Sequence, residues 1–370
     1  MAEYRFLFHD LKTNLLVGEV PLAGVSYEPG LLLGDGPFSA TLPRLSSGDA
    51  AGLDVLGATA PARRFLYVER DGVLVYAGIV WTRRYNSRAG AFTIAGSEPS
   101  SYLRRRRWTP ANRSYVTVSD QTIFADLVND AMSGYGSSIG LRATVAGGPG
   151  NLRTRTFLAG ELNPIAQNVD ALAEEAPGFE WANEVARPDP AGEPDVILAG
   201  AWPYRGRPAA SSGLVWEYPG NVLEFDWPED AGVTANLVWG LGQAAATNLD
   251  LSAYSWAVER ISVEGYPLLE DVLTASQVRD AAHLQRLTDT DRLRRDAPTV
   301  LPVLKVSPSL FPAVGDYVTG DRFMAYLDDP RRFPEPWAGV LRLVSRKVTV
   351  DRAGVETVEL TCLPWPSATL

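Results

Sequence analysis

Short apolar runs, some alternating with polar residues and some unbroken, fill most of this chain, and glycine and proline interrupt them every few positions. Such punctuation predicts a β-rich protein with frequent turns. Residues 1–110 read as strands. The clearest pair runs from Arg64 to Arg70 and from Gly72 to Trp81. Its turn is Asp71-Gly72, a dipeptide that tolerates the positive φ angles of a type I′ hairpin. Val73, Val75, Ala77 and Ile79 lie on one face, and Leu74, Tyr76 and Val80 on the other. A strand apolar on both faces is covered on both, here by barrel closure or by a neighbouring subunit. Val73, Val75, Ile79 and Trp81 are therefore interface candidates.

Between 111 and 185 the period changes to three and four residues. Ile123, Phe124, Leu127, Val128 and Ala131 mark a helix capped by Ser119 and stopped by Gly134. A second helix starts with Asn163 as cap and Pro164 at its first helical position, and buries Ile165, Val169, Leu172 and Ala176. Pro177-Gly178 ends it, and a strand Phe179-Glu180-Trp181 follows. Residues 186–296 begin rich in proline and tryptophan. They continue with strands from Val222 to Trp227 and from Ala235 to Trp239. They close with a helix whose capping box is Thr274 and Gln277 and which runs to about Arg295. From 297 to 370 the chain is β again, with a strand from Val340 to Val350 and another from Val355 to Leu363. In the latter, Val358, Leu360 and Cys362 alternate with polar residues and face a core. The expected fold is mainly β with a few helices, an α+β, multi-domain chain. Its expected segments are a barrel-like 1–110, an α/β 111–185, a β-rich 186–296 and a β 297–370.

Composition narrows the function. The chain has 370 residues, 46% of them hydrophobic, and a net charge of −10. That balance supports real cores, and the charge argues against general binding to nucleic acid or anionic lipid. A single cysteine excludes a disulfide framework or a cysteine zinc site. The N-terminus lacks a signal-peptide pattern, and no apolar run is long enough for a membrane span. The expectation is a protein made in a reducing cytoplasm, with no membrane insertion of its own.

No catalytic constellation emerges, and no metal or cofactor is expected. Nucleophilic catalysis needs a base, and His9 and His283 are the only histidines; both read as surface or structural residues. Glu174-Glu175 and Glu180 are the best carboxylates for glycoside hydrolysis, but neighbours on a helix do not face one site. Gly240-Leu241-Gly242-Gln243-Ala244-Ala245 fits G-x-G-x-x-A without the helix that a dinucleotide site requires, and reads as a turn. Gly147-Gly148-Pro149-Gly150 lacks the lysine of a phosphate loop. The one charge run is Arg104, Arg105, Arg106 and Arg107. It reads either as a contact with DNA or an acidic subunit, or as a solvated strand edge. Among ten tryptophans, Trp202, Trp216 and Trp227 are expected nearest the surface, at a protein interface or at a sugar site.

Several stretches resemble minor tail proteins of long-tailed phages of actinobacteria. They are Tyr4-Arg5-Phe6-Leu7-Phe8-His9-Asp10-Leu11, Gly36-Pro37-Phe38-Ser39-Ala40-Thr41-Leu42-Pro43, Tyr67 to Arg84, and Gly178-Phe179-Glu180-Trp181. Such proteins are similar to the trimeric hub of contractile tails. The resemblance implies two barrel-like domains per chain and a homotrimeric ring at the tip of the virion's tail. The ring would join the tail tube to a distal tail protein, the tape measure and fibres or spikes, with a channel for transient DNA passage. It also implies a structural, non-enzymatic role. No fused hydrolase is expected beyond the last β segment. The alternatives are a module that binds a glycan or receptor and, further off, a cell-wall hydrolase.

Overall fold

The computed structural model describes residues 2–31, 36–42, 54–108, 111–175, 178–188, 192–242, 251–275, 278 and 280–366. The chain divides into two compact units. The first comprises Met1–Ala173, Phe179–Phe225 and Val303–Leu370; the second comprises Glu174–Gly178 and Asp226–Pro302.

The first unit is built on a 13-stranded sheet. Its N-terminal strands are β1 (Tyr4–Asp10), β2 (Leu16–Glu19), β3 (Ala23–Tyr27), β4 (Pro37–Thr41), β5 (Arg64–Arg70), β6 (Val73–Asn86) and β7 (Ala91–Ser97). β3 pairs with Trp337–Val350, matching Tyr27 to Val348 and Val25 to Val350, so residues from both ends of the chain share one sheet. Beyond that strand lie Glu356–Trp365, Val303–Val306 and finally Val222–Asp226, while β2 forms the other end. Among the described residues this order does not close into a barrel.

The two-sided burial of β6 has another origin. On one side, Ala77 and Ile79 join Phe65 and Tyr67 in a core with the helices Asp120–Met132 and Ile165–Glu174 and with Phe179 and Trp181. On the other, the Tyr76 ring meets Tyr27 at 5.3 Å and Phe38 at 6.0 Å between centroids. Both covers come from the chain itself. Ile79, with no exposed surface, contributes roughly 2–3 kcal/mol by its burial. The hairpin turn forms as its sequence predicts, with Asp71 at φ 49° and Gly72 at φ 81°. In Glu356–Trp365, Val358, Leu360 and Cys362 are fully buried, as the alternation requires.

The helix starts depart from expectation. Ser119 stands at the N-cap of Asp120–Met132, but its hydroxyl donates to the Pro149 carbonyl at 2.7 Å and caps nothing. Asn163 turns its amide to Glu161 at 3.0 Å. The helix Ile165–Glu174 begins beyond it, with the Pro164 carbonyl accepting from the Asn168 amide. Thr274 belongs to the strand Glu270–Ala275, and Gln277 lies outside the described residues. The helix expected there is Ala281–Arg295, and its cap is Asp280, whose side chain accepts from the His283 amide at 2.7 Å. Aspartate caps as well as threonine, and Thr274 is held in a parallel ladder opposite Leu241.

The second unit contains a three-stranded sheet, ordered Leu251–Trp256, Leu237–Gly242, Glu270–Ala275. The helix Ala281–Arg295 packs on one face through Leu284 and Thr288. Gly240 is therefore a strand residue and not a turn, and Gln243 to Ala245 lie outside the described residues. A Cβ at Gly240 would come within 2.0 Å of the Thr288 hydroxyl, so glycine is what lets the helix lie this close. No helix among the described residues is long and apolar enough to cross a membrane.

Candidate assembly surfaces

The arginine run does not lie on a strand edge. A 3₁₀ helix spans Pro99–Arg105 and ends the chain's passage from β7. Leu103 and Trp108, on either side of the run, are fully buried and fix it to the core. Arg104, Arg105 and Arg107 are exposed. Arg106 is half-buried and points inward, donating to the Ala131 carbonyl at 2.8 Å and the Ser137 hydroxyl at 2.9 Å. The Arg105 guanidinium lies 5.4 Å from the Trp81 ring centre, and the Trp81 indole donates to Ser101 at 2.9 Å. The structure thus brings Trp81 and the arginine run together. Val75 and Ile79 are buried within the chain, whereas Val73 is exposed at the hairpin tip.

Two of the carboxylates considered for catalysis, Glu180 and Glu175, are in ion pairs. Glu180 is buried and gripped by Arg342, with Nη1 donating to Oε1 at 2.6 Å. The Arg205 amide adds a hydrogen bond of 2.7 Å to the same carboxylate, and the Arg205 guanidinium pairs with Glu184. Glu175 is buried within 3.6 Å of Arg286 and 3.8 Å of His283. His9 is buried against Tyr67, its Nδ1 2.8 Å from the Asn14 carbonyl and 3.0 Å from Glu193. Burial holds its imidazole below the usual range, and so neutral. Among the described residues no group of three or more histidines, cysteines or carboxylates could hold a metal ion.

One buried carboxyl escaped the sequence reading. Glu98 precedes Pro99 and lines a cavity of about 190 Å³ with Asn183, Arg205, Tyr317 and Arg346. Burial pushes its pKa up to about 8, against the pull of Arg346 and Arg205. The Asn183 amide donates to it at 3.1 Å. A glutamate before a proline looks like any solvated helix start, so nothing in the local pattern marks it.

The tryptophans are also redistributed. Trp216 is fully buried, edge-on to Tyr317 and Phe323, contrary to the expected surface position. Its strand, Val215–Tyr218, pairs inside the large sheet. Trp202 and Trp227 are half-buried. The exposed aromatics lie instead on the small sheet, on the face away from its helix. Trp239, Tyr254 and Trp256 are 41%, 59% and 51% exposed. Trp239 stands opposite Tyr254 in the ladder with ring centres 5.8 Å apart, and its indole donates to Glu270 at 3.1 Å. Leu241 and Val272, on the same face, are also exposed. Alternation around the small Gly240 and along Tyr254-Ser255-Trp256 was the available signal.

No family model and no curated protein matches this chain. Solved structures do match it. Prophage MuSo2's 43 kDa tail protein from Shewanella oneidensis superposes with a TM-score of 0.62 at 12% identity, covering 98% of each chain. The tail protein of Neisseria meningitidis MC58 gives 0.58 at 14%, again covering 98% of both. Prophage tail protein gp18 of Listeria monocytogenes gives 0.53 at 11%, over 96% of this chain and 94% of that one. The chain has the fold of phage tail proteins. At these identities the likeness is one of architecture, and function must be argued from surfaces.

Proposed function

We propose that this chain is a structural protein of a bacteriophage tail and serves as a hub-like ring at the tail tip. The observation that supports this most is the end-to-end character of the fold likeness, 98% of both chains for two tail proteins. In this reading three copies form a ring beneath the tail tube. The ring joins the tube to the distal tail protein, the tape measure and fibre or spike proteins, and leaves an axial opening for DNA. The net charge of −10 suits that opening, because like charge keeps DNA from adhering as it passes. Carboxylates tied up in ion pairs support an architectural rather than a catalytic role. The narrower assignment, to long-tailed phages of actinobacteria, rests on the sequence stretches quoted above. The protein would be made in the host cytoplasm and act in the virion.

Electron microscopy of the purified, concentrated protein tests the reading. Three-fold rings with a central opening are expected. A field of isolated single-chain particles, unchanged with concentration, would overturn the ring.

A further inference from the structure

The negative charge is unevenly placed. The second unit holds fourteen carboxylates against six arginines, a net charge of −8, so the much longer first unit carries only −2 of the total of −10. The first unit also bears the arginine run, with three of its four side chains exposed. Each unit thus presents what the other lacks.

We infer that the aromatic face of the small sheet receives the Arg104–Arg107 segment of a second copy of this chain. This contact rests on the ring reading and gives it a specific joint. The face offers three half-exposed rings, Trp239, Tyr254 and Trp256, and beside them the Glu270 carboxylate that the Trp239 indole orients. Among its described residues it carries no lysine or arginine. Rings and a carboxylate together are what a guanidinium uses: it stacks flat on an aromatic face and forks onto a carboxylate.

The chain already makes this pairing internally. Arg342 lies 5.0 Å from the Trp365 ring centre while it grips Glu180, and Arg105 lies over Trp81. The arginine run suits the opposite role. Its 3₁₀ helix is fixed by Leu103 and Trp108, so little backbone freedom is lost when it docks. The contact joins two different surfaces, so it is head-to-tail, the kind that closes rings.

The test is solution mass by light scattering at low salt on the full chain and two variants. One carries Arg104→Glu, Arg105→Glu and Arg107→Glu together; the other carries Glu270→Arg. Thermal melting checks that each remains folded. Wild type should assemble, and each variant alone should associate roughly tenfold more weakly or worse. Mixed together, the two variants retain one intact joint per pair and should form a 1:1 complex of about 80 kDa, twice the 40.1 kDa chain. Variants that assemble like wild type would overturn the contact while leaving the ring standing. A wild type that stays monomeric throughout would overturn both. Should either variant unfold, the wild type decides alone: its assembly must weaken steeply as salt rises, and salt-insensitive assembly rejects the contact.

Discussion

Arg342 and Glu180, 162 positions apart in the sequence, meet as a buried two-pronged pair with Nη1 donating to Oε1 at 2.6 Å. Their side chains are 5% and 10% exposed. The pair ties the strand Trp337–Val350 to Glu180–Ala186, two segments whose local patterns give no hint of one another. The guanidinium also lies 5.6 Å from the Tyr204 ring centre and 5.0 Å from that of Trp365.

Removing one partner of such a pair leaves the other charged and buried. Glu180→Gln should therefore cost about 3–5 kcal/mol, read as a lower midpoint in urea unfolding. Arg342→Lys should recover little, because an ammonium cannot fork onto the carboxylate or lie flat against an aromatic ring.

Glu98 makes stability depend on pH with a definite sign. Its pKa is about 8 in the folded chain and roughly 4.3 for an ordinary glutamate. Between those values the folded chain holds a proton that the unfolded chain has released. The group's stabilising contribution is thus full below the unfolded pKa and is lost as pH rises towards the folded one. Glu98→Gln should flatten this fall in unfolding free energy and leave the variant more stable than wild type above about pH 8. An unchanged slope in the variant would show that Glu98 is ionised throughout.

Gly240 sets how closely the helix Ala281–Arg295 approaches its sheet. Thr288 is fully buried and its hydroxyl is committed to the Leu284 carbonyl at 2.8 Å, so it cannot swing away freely. Gly240→Ala should destabilise the second unit by about 1–3 kcal/mol through overpacking. Hydrogen exchange should show faster opening confined to the strands Leu237–Gly242 and Glu270–Ala275 and to the helix. Adding Thr288→Ala should restore part of the protection.

What the sequence revealed follows from how local each feature is. The Asp71-Gly72 turn and the alternation at Val358, Leu360 and Cys362 depend on neighbouring residues, and both were legible. The pairing of β3 with Trp337–Val350 depends on register between opposite ends of the chain and was not. Thr274 was a plausible cap until the parallel strand claimed it, leaving Asp280 to the helix. At the surfaces, the arginine run was visible because like charges in sequence stay together in space. The Trp239, Tyr254 and Trp256 platform was not, because it assembles only when two strands pair. Two-sided burial of β6 was read correctly, but the covers proved to be the chain's own, helices over Ile79 on one face and Tyr27 and Phe38 over Tyr76 on the other.

The most direct test of the hub account is the mass of the purified chain in solution, followed over a range of concentrations. The account predicts growth to a species of about 120 kDa, three times the 40.1 kDa chain. A mass that stays at a single chain at every concentration would contradict it.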